Sequence, residues 1–109
     1  MPGRPRVGRK CLGCSLKVCR TAYLYVVADD TRHLVKIGCS INVANRLHQY
    51  RAMGNSVRLI HKQDGGCPFT APIKEERALK RLDQSTRVRG DWFATTENAA
   101  VAAVMGVLS

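Results

Sequence analysis

Residues Tyr23–Arg46 read YLYVVADDTRHLVKIGCSINVANR, and this stretch decides the fold. Tyr23, Tyr25 and Val27 alternate with Leu24, Val26 and Ala28, the period-two pattern of a strand rich in aromatic and β-branched residues. Asp29-Asp30-Thr31 is turn chemistry, and Leu34-Val35-Lys36-Ile37-Gly38 resumes the alternation, so the two runs predict an antiparallel hairpin. In the second run Leu34, Lys36 and Gly38 share one face. Ser40 is placed to cap a helix over about residues 41–52, with Val43, Ala44 and Leu47 as its apolar stripe. Asn42, Arg46 and Tyr50 then follow one flank of that stripe at intervals of four, with His48 pointing roughly the opposite way.

Working downstream, Val57-Arg58-Leu59-Ile60-His61-Lys62 alternates as a third strand, with His61 read as a structural residue, and Asp64-Gly65-Gly66-Cys67-Pro68 is a loop. A second helix is expected over about 72–83. On it Ile73, Glu76, Leu79 and Leu82 step by three, which sets an acidic residue inside an apolar arc; Glu75 has a similar phase, so spacing leaves both open. Trp92-Phe93 closes the core, and Thr96 caps a last helix over about 97–107, a back wall of the sheet or a dimer surface. The expected architecture is a small α/β domain of the α+β kind over residues 22–109, a three-stranded antiparallel sheet flanked by helices.

The chain of 109 residues has material for one core. Hydrophobic residues make up 45%, too many for a disordered chain, and no apolar run reaches the ~20 residues of a membrane span. The basic start MPGRPRVGRK is followed by no apolar segment, so no secretory signal is expected and the expected location is intracellular. A formal net charge of +10 on 12.0 kDa points to polyanionic partners, because each Lys or Arg that neutralises a phosphate releases condensed counterions. DNA is the expected partner, with RNA as the second choice and no membrane. Solubility, or contact with an acidic protein surface, would use the same charge without any groove.

The charge is concentrated in residues 1–21, read as a basic arm containing Arg4, Arg6, Arg9 and Lys10. Its start, Pro2-Gly3-Arg4-Pro5-Arg6, resembles the Gly-Arg-Pro core of an AT-hook: Pro and Gly keep the backbone extended, so the arginines can follow a narrow minor groove. Cys11, Cys14 and Cys19 follow in C-x2-C-x4-C spacing, which would present three thiolates to one structural Zn²⁺. His33, Cys39 or Cys67 would supply the fourth ligand. Unligated thiols are the competing reading, and an odd cysteine count in a reducing compartment argues against disulfides.

Four short motifs, in order, carry a resemblance. Tyr23-Leu24-Tyr25, a turn, Lys36-Ile37-Gly38 and a helix bearing Arg46 together resemble the GIY-YIG nuclease superfamily. The similarity is to its phage and bacterial branch, whose second motif reads Val-Lys-Ile-Gly followed by Ser or Thr and Asn; here the residues are Val35-Lys36-Ile37-Gly38-Cys39-Ser40-Ile41-Asn42. Glu76-Arg77-Ala78-Leu79-Lys80 resembles the Glu-x-Ala-Leu-His segment, and Arg87-Val88-Arg89-Gly90-Asp91-Trp92-Phe93 resembles Arg-Val-x-Gly-Glu-Trp-Phe. Tyr23 stands where the superfamily name has Gly, Lys36 where it has the second Tyr, and Lys80 where the branch has His.

The resemblance implies a metal-dependent endonuclease that hydrolyses phosphodiester bonds in DNA. That chemistry requires an activated water, compensation of charge in the transition state and stabilisation of the leaving oxygen. By resemblance, Tyr25 is the general base or its partner, with its phenol pKa lowered by nearby cations, and Arg46 holds the scissile phosphate through its fork of donors. Glu76 is the expected ligand of one Mg²⁺ or Mn²⁺, Lys36 adds positive potential, and Tyr50, Lys80 and Arg89 join the arm in contacting nucleic acid. A noncatalytic nucleic-acid-binding or regulatory module on the same fold is the alternative expectation.

Overall fold

β1 (Tyr23–Asp29) and β2 (Leu34–Ser40) form the expected antiparallel hairpin, in register from Tyr23 opposite Ser40 to Asp29 opposite Leu34. The computed structural model of the chain describes residues 20–107. At the turn, the Asp29 carboxylate is 1% exposed and fully employed: it accepts from the backbone N–H groups of Thr31 (3.0 Å) and Arg32 (3.1 Å) and from Arg32 Nη1 (3.0 Å). Such an Asx-type turn lets a buried acid replace water as the acceptor.

After the hairpin come α1 (Val43–Ala52), β3 (Val57–Asp64), α2 (Ala71–Lys80), β4 (Arg87–Arg89), β5 (Trp92–Phe93) and α3 (Glu97–Met105). The sheet has five strands in the order β3-β1-β2-β5-β4, all pairs antiparallel, which corrects the three-stranded expectation. The two added strands are 3 and 2 residues long, too short to show an alternation in sequence. β5 pairs with β2 only through Val35–Phe93 and Lys36–Trp92. The second half of β2, Ile37–Ser40, therefore has no strand neighbour on that side among the described residues.

Each face of the sheet has its own core. Leu24, Val26, Ala28, Val35, Ile37 and Phe93 point to the face covered by α2 and α3, where they meet Ala78, Leu82, Ala100, Ala103 and Val104. Tyr25, Val27, Leu34 and Trp92 point to the other face, which α1 covers with Val43 and Leu47. Ala44, expected in the α1 stripe, is exposed. The N-cap of α1 is Asn42, not Ser40: Asn42 Oδ1 accepts from Asn45 N at 2.9 Å, and Ser40 Oγ accepts from Asn42 N at 3.0 Å to shape the entry. Thr96 caps α3 as expected, accepting from Ala99 N at 3.0 Å. No helix among the described residues is long and apolar enough to cross a membrane.

Candidate active site

The open second half of β2 is a notch in the sheet, and side chains from three elements meet around it. Tyr25 comes from β1. Its ring lies over Gly38, its cross-strand partner, where an added Cβ would run into the phenol; the position needs glycine because the ring occupies that space. The Tyr25 side chain is fully buried, and its hydroxyl shares a 2.6 Å hydrogen bond with the hydroxyl of Tyr50 from α1. Arg46, one turn earlier on α1, is half-buried beside both phenols. Burial works against its charge, and Tyr25, Tyr50 and Cys39 together outweigh that effect, so the guanidinium stays a cation.

The Tyr25 phenol is corrected in direction. Burial first, and the Tyr50 hydrogen bond next, push its pKa well above the ordinary tyrosine value, and Arg46 offsets only part of this. Tyr25 is a neutral, anchored phenol at any working pH, not a phenol made acidic by cations. Lys36 lies on the same strand face, opposite Val27, with its Nζ 3.7 Å from Asp91 Oδ2 and 5.8 Å from the Trp92 ring centroid.

The acidic residue at the notch is Glu75. Cys39 Sγ donates to Glu75 Oε1 at 3.3 Å across the open edge of β2. Burial raises the Glu75 pKa; the Cys39 hydrogen bond lowers it, Asp91 raises it, and Lys36 and Arg46 lower it, with a net upward shift. Glu75 therefore reaches the β2 edge from α2, on the other face of the sheet, and comes close enough to Lys36 and Arg46 to feel their charges. Glu76 does not: its carboxylate is 69% exposed and pairs with Lys80 Nζ at 3.9 Å on the solvent side of α2. The reason is helical phase. Ala71, Ala78 and Leu82 are the buried positions, and Glu75 joins them at spacings of four, three and four, whereas a step of three drifts round the helix and leaves Ile73 44% exposed. Burial first, and the charge and hydrogen bond of Glu75 next, push the Cys39 thiol up to about 12.

Of the residues singled out in sequence, Tyr25, Lys36, Arg46 and Tyr50 converge, and Arg89 lies on β4 at the rim of a cavity that Lys36 and Tyr50 also line. Glu76 and Lys80 stand apart. Arg4, Arg6, Arg9 and Lys10, with Cys11, Cys14 and Cys19, lie outside the described residues. Of the suggested fourth zinc ligands, Cys39 is engaged by Glu75, and Cys67 is buried against Thr70 Oγ1 at 3.7 Å. No group of three or more metal-ligating side chains occurs among the described residues. Sequence reasoning missed the part taken by Asp91 in this charge cluster, and it passed over Glu75 although a 3.6-residue period would have selected it.

A protein-family comparison matches the T5orf172 domain over residues 21–107, the hairpin, the notch and every helix included. The chain belongs to the T5orf172 domain family. No curated protein and no solved structure matches it significantly. Within this T5orf172 domain the four sequence motifs fall in one matched unit, and the two hairpin motifs, the second leading into the helix that bears Arg46, meet at the notch. The α2 motif contributes Glu75, one residue before the position that the resemblance selected, and the Asp91-Trp92 motif borders the same space through Lys36.

Proposed function

We propose that this T5orf172 domain is a metal-dependent endonuclease that hydrolyses phosphodiester bonds in DNA, in the manner of the GIY-YIG superfamily it resembles. The observation that carries the reading is the convergence of a permanent cation, a paired phenol and a half-buried carboxylate at the open end of β2. Membership of a phage-associated, nuclease-like family supports it.

The donor set suits a hard divalent cation. Glu75 is one carboxylate whose charge is resisted by burial and by Asp91, so it gains from a cation, and Mg²⁺ characteristically takes one or two carboxylates plus waters and phosphate oxygens. When bound, such an ion supplies charge neutralisation at the phosphate and the leaving oxygen. The chain's own residues do the rest. Arg46 offers its planar fork to the non-bridging oxygens and keeps its charge as the transition state develops. Tyr25 fixes the hydroxyl of Tyr50, the more exposed of the two phenols, and Tyr50 orients the attacking water by hydrogen bonding. Lys36, restrained by Asp91, adds positive potential from the strand face.

The test is a supercoiled-plasmid assay with and without Mg²⁺ or Mn²⁺. Metal-dependent nicking is expected. Arg46→Ala should lower the rate about 10²–10³-fold, the usual consequence of deleting one transition-state contact, and Glu75→Gln should abolish metal-dependent cleavage, while Glu76→Gln leaves the rate unchanged. Cleavage that survives in Glu75→Gln but not in Glu76→Gln would overturn the assignment of the carboxylate. A second reading, a noncatalytic nucleic-acid-binding module, is favoured by one observation: Lys80, at the position of the branch histidine, is 76% exposed and far from providing a proton at the notch. DNA binding with no cleavage in either metal would establish it.

A further inference from the structure

Beside the notch, and sharing Lys36, Tyr50 and Asp91 with it, lies a cavity of about 430 Å³ whose Met53, Asn55, Arg89 and Trp92 the catalytic reading does not use. Its size falls within the ~300–1,000 Å³ range of small-molecule sites. One wall is aromatic: Trp92 and Tyr50 stand edge to face with ring centroids 6.1 Å apart. Met53, 77% exposed at the end of α1, adds an apolar side chain to the lining. Another wall is rigid, because the Asn55 side chain is committed on both ends, accepting from Arg32 Nη1 at 2.7 Å and donating to the Tyr50 carbonyl at 3.3 Å. Asp91 and Arg89 supply one carboxylate and one exposed guanidinium at the rim.

We infer that this cavity binds an unpaired nucleobase of the strand being cut. The inference rests on the nuclease reading and names its substrate class. The argument is one of adjacency. Tyr50 lines the cavity with one side of its ring, and its hydroxyl bonds to Tyr25 at the notch, so a phosphate held by Arg46 places the base of the same or the next nucleotide at the cavity mouth. A planar ring stacks on the aromatic wall and against the Met53 thioether, contacts that every base makes whatever its identity. The Asp91 carboxylate accepts from an exocyclic amino group, and Arg89 meets the following phosphate. A base stacked within a duplex cannot enter such a recess, so the preferred nucleotide is single-stranded, bulged, mismatched or extruded.

Trp92 is the only tryptophan of the chain, so its fluorescence reports this wall alone. The full chain, without divalent cation, is titrated with dCMP, with dAMP and with deoxyribose 5-phosphate. Saturable change of Trp92 emission by both nucleotides is expected, with affinity for the base-free sugar phosphate at least about tenfold lower, as loss of one stacked base implies. Met53→Ser, a neutral change at an exposed position, should weaken the nucleotides and leave the sugar phosphate unchanged. Equal responses to all three ligands would overturn the inference. Oligonucleotides then separate it from the reading beneath it: with Mg²⁺, a duplex carrying one unpaired base should be cut at least about tenfold faster next to that base than the fully paired duplex. Cutting without that preference removes the pocket and keeps the nuclease; nucleotide-specific quenching in a protein that never cuts removes the nuclease and keeps the pocket.

Discussion

The two faces of the sheet are built on different rules. The face under α2 and α3 is a wall of aliphatic residues and Phe93, with Leu24, Val26, Ile37 and Val104 fully buried. The face under α1 buries Tyr25 and Trp92 as well, and carries Lys36, Arg46 and Tyr50 at its margin. β1 serves both, with alternate side chains sent to opposite sides. The first face supplies most of the apolar burial, and the second holds polar groups that earn their place only through one another, as the hydroxyl pair of Tyr25 and Tyr50 shows. Most of the apolar wall and most of the polar cluster thereby lie on opposite faces, with Glu75 on α2 the exception that meets the cluster at the β2 edge, and substitutions on the two sides should fail in different ways.

The largest expected effect belongs to the apolar wall. Phe93 is fully buried at the point where β5 joins β2. Phe93→Ala should lower unfolding free energy by about 3–5 kcal/mol, read from urea denaturation. A loss below about 1 kcal/mol would mean that β5 is an ornament on the sheet and not part of its core. Next comes Gly38→Ala, which introduces a methyl group where the Tyr25 ring lies. Overpacking of this kind typically costs about 1–3 kcal/mol, and here it should also displace the Tyr25 hydroxyl from Tyr50. Full activity with reduced stability would show that the phenol pair is dispensable and would weaken the contrast between the faces.

The strands, helices and their order were largely legible because each long element repeats its pattern often enough to be recognised. β1, β2 and α3 with its Thr96 cap follow their residues closely. β4 and β5 were not legible, since no periodicity can be read in 3 and 2 residues and their pairing depends on a partner distant in sequence. Phase set Lys36 on one strand face and Arg46 and Tyr50 on one helix flank; their meeting with Tyr25 was expected only through the resemblance. Spacing left Glu75 and Glu76 both open and the resemblance selected Glu76; the contact with Cys39 puts Glu75, not Glu76, at the β2 edge. The protonation of Tyr25 was not legible at all. Its pKa is set by burial, and burial depends on the Gly38 gap and on α1 closing over it.

A smaller effect tests the polar side alone. Tyr50→Phe keeps the ring against Trp92 and removes the hydroxyl that the buried Tyr25 hydroxyl bonds at 2.6 Å. It should cost about 1 kcal/mol of stability, the usual scale for one lost hydrogen bond in a protein, and lower the cleavage rate more than it lowers DNA affinity. An equal fall in both would assign Tyr50 to binding and leave water orientation to another group.

The smallest expected change has the opposite sign. Glu75 has a folded-state pKa raised above its unfolded value, chiefly by burial, so at neutral pH its charge is a cost to the fold and not a support. Lowering the pH through the folded-state pKa protonates the group and removes that cost. Glu75→Gln, which keeps the shape and deletes the charge, should therefore raise the thermal midpoint slightly at pH 7, and the gap to the parent should close as pH falls into and below the carboxylate range. If Mg²⁺ binds as proposed, adding it should reverse the order: a cation that binds only the folded state would stabilise the parent by mass action, and the Gln variant, lacking the carboxylate, should gain nothing. A parent that is more stable than Glu75→Gln without any divalent ion would mean that Lys36 and Arg46 already satisfy the carboxylate. Glu75 would then be half of an internal ion-pair network, and the notch would have no vacancy in charge for a metal to fill.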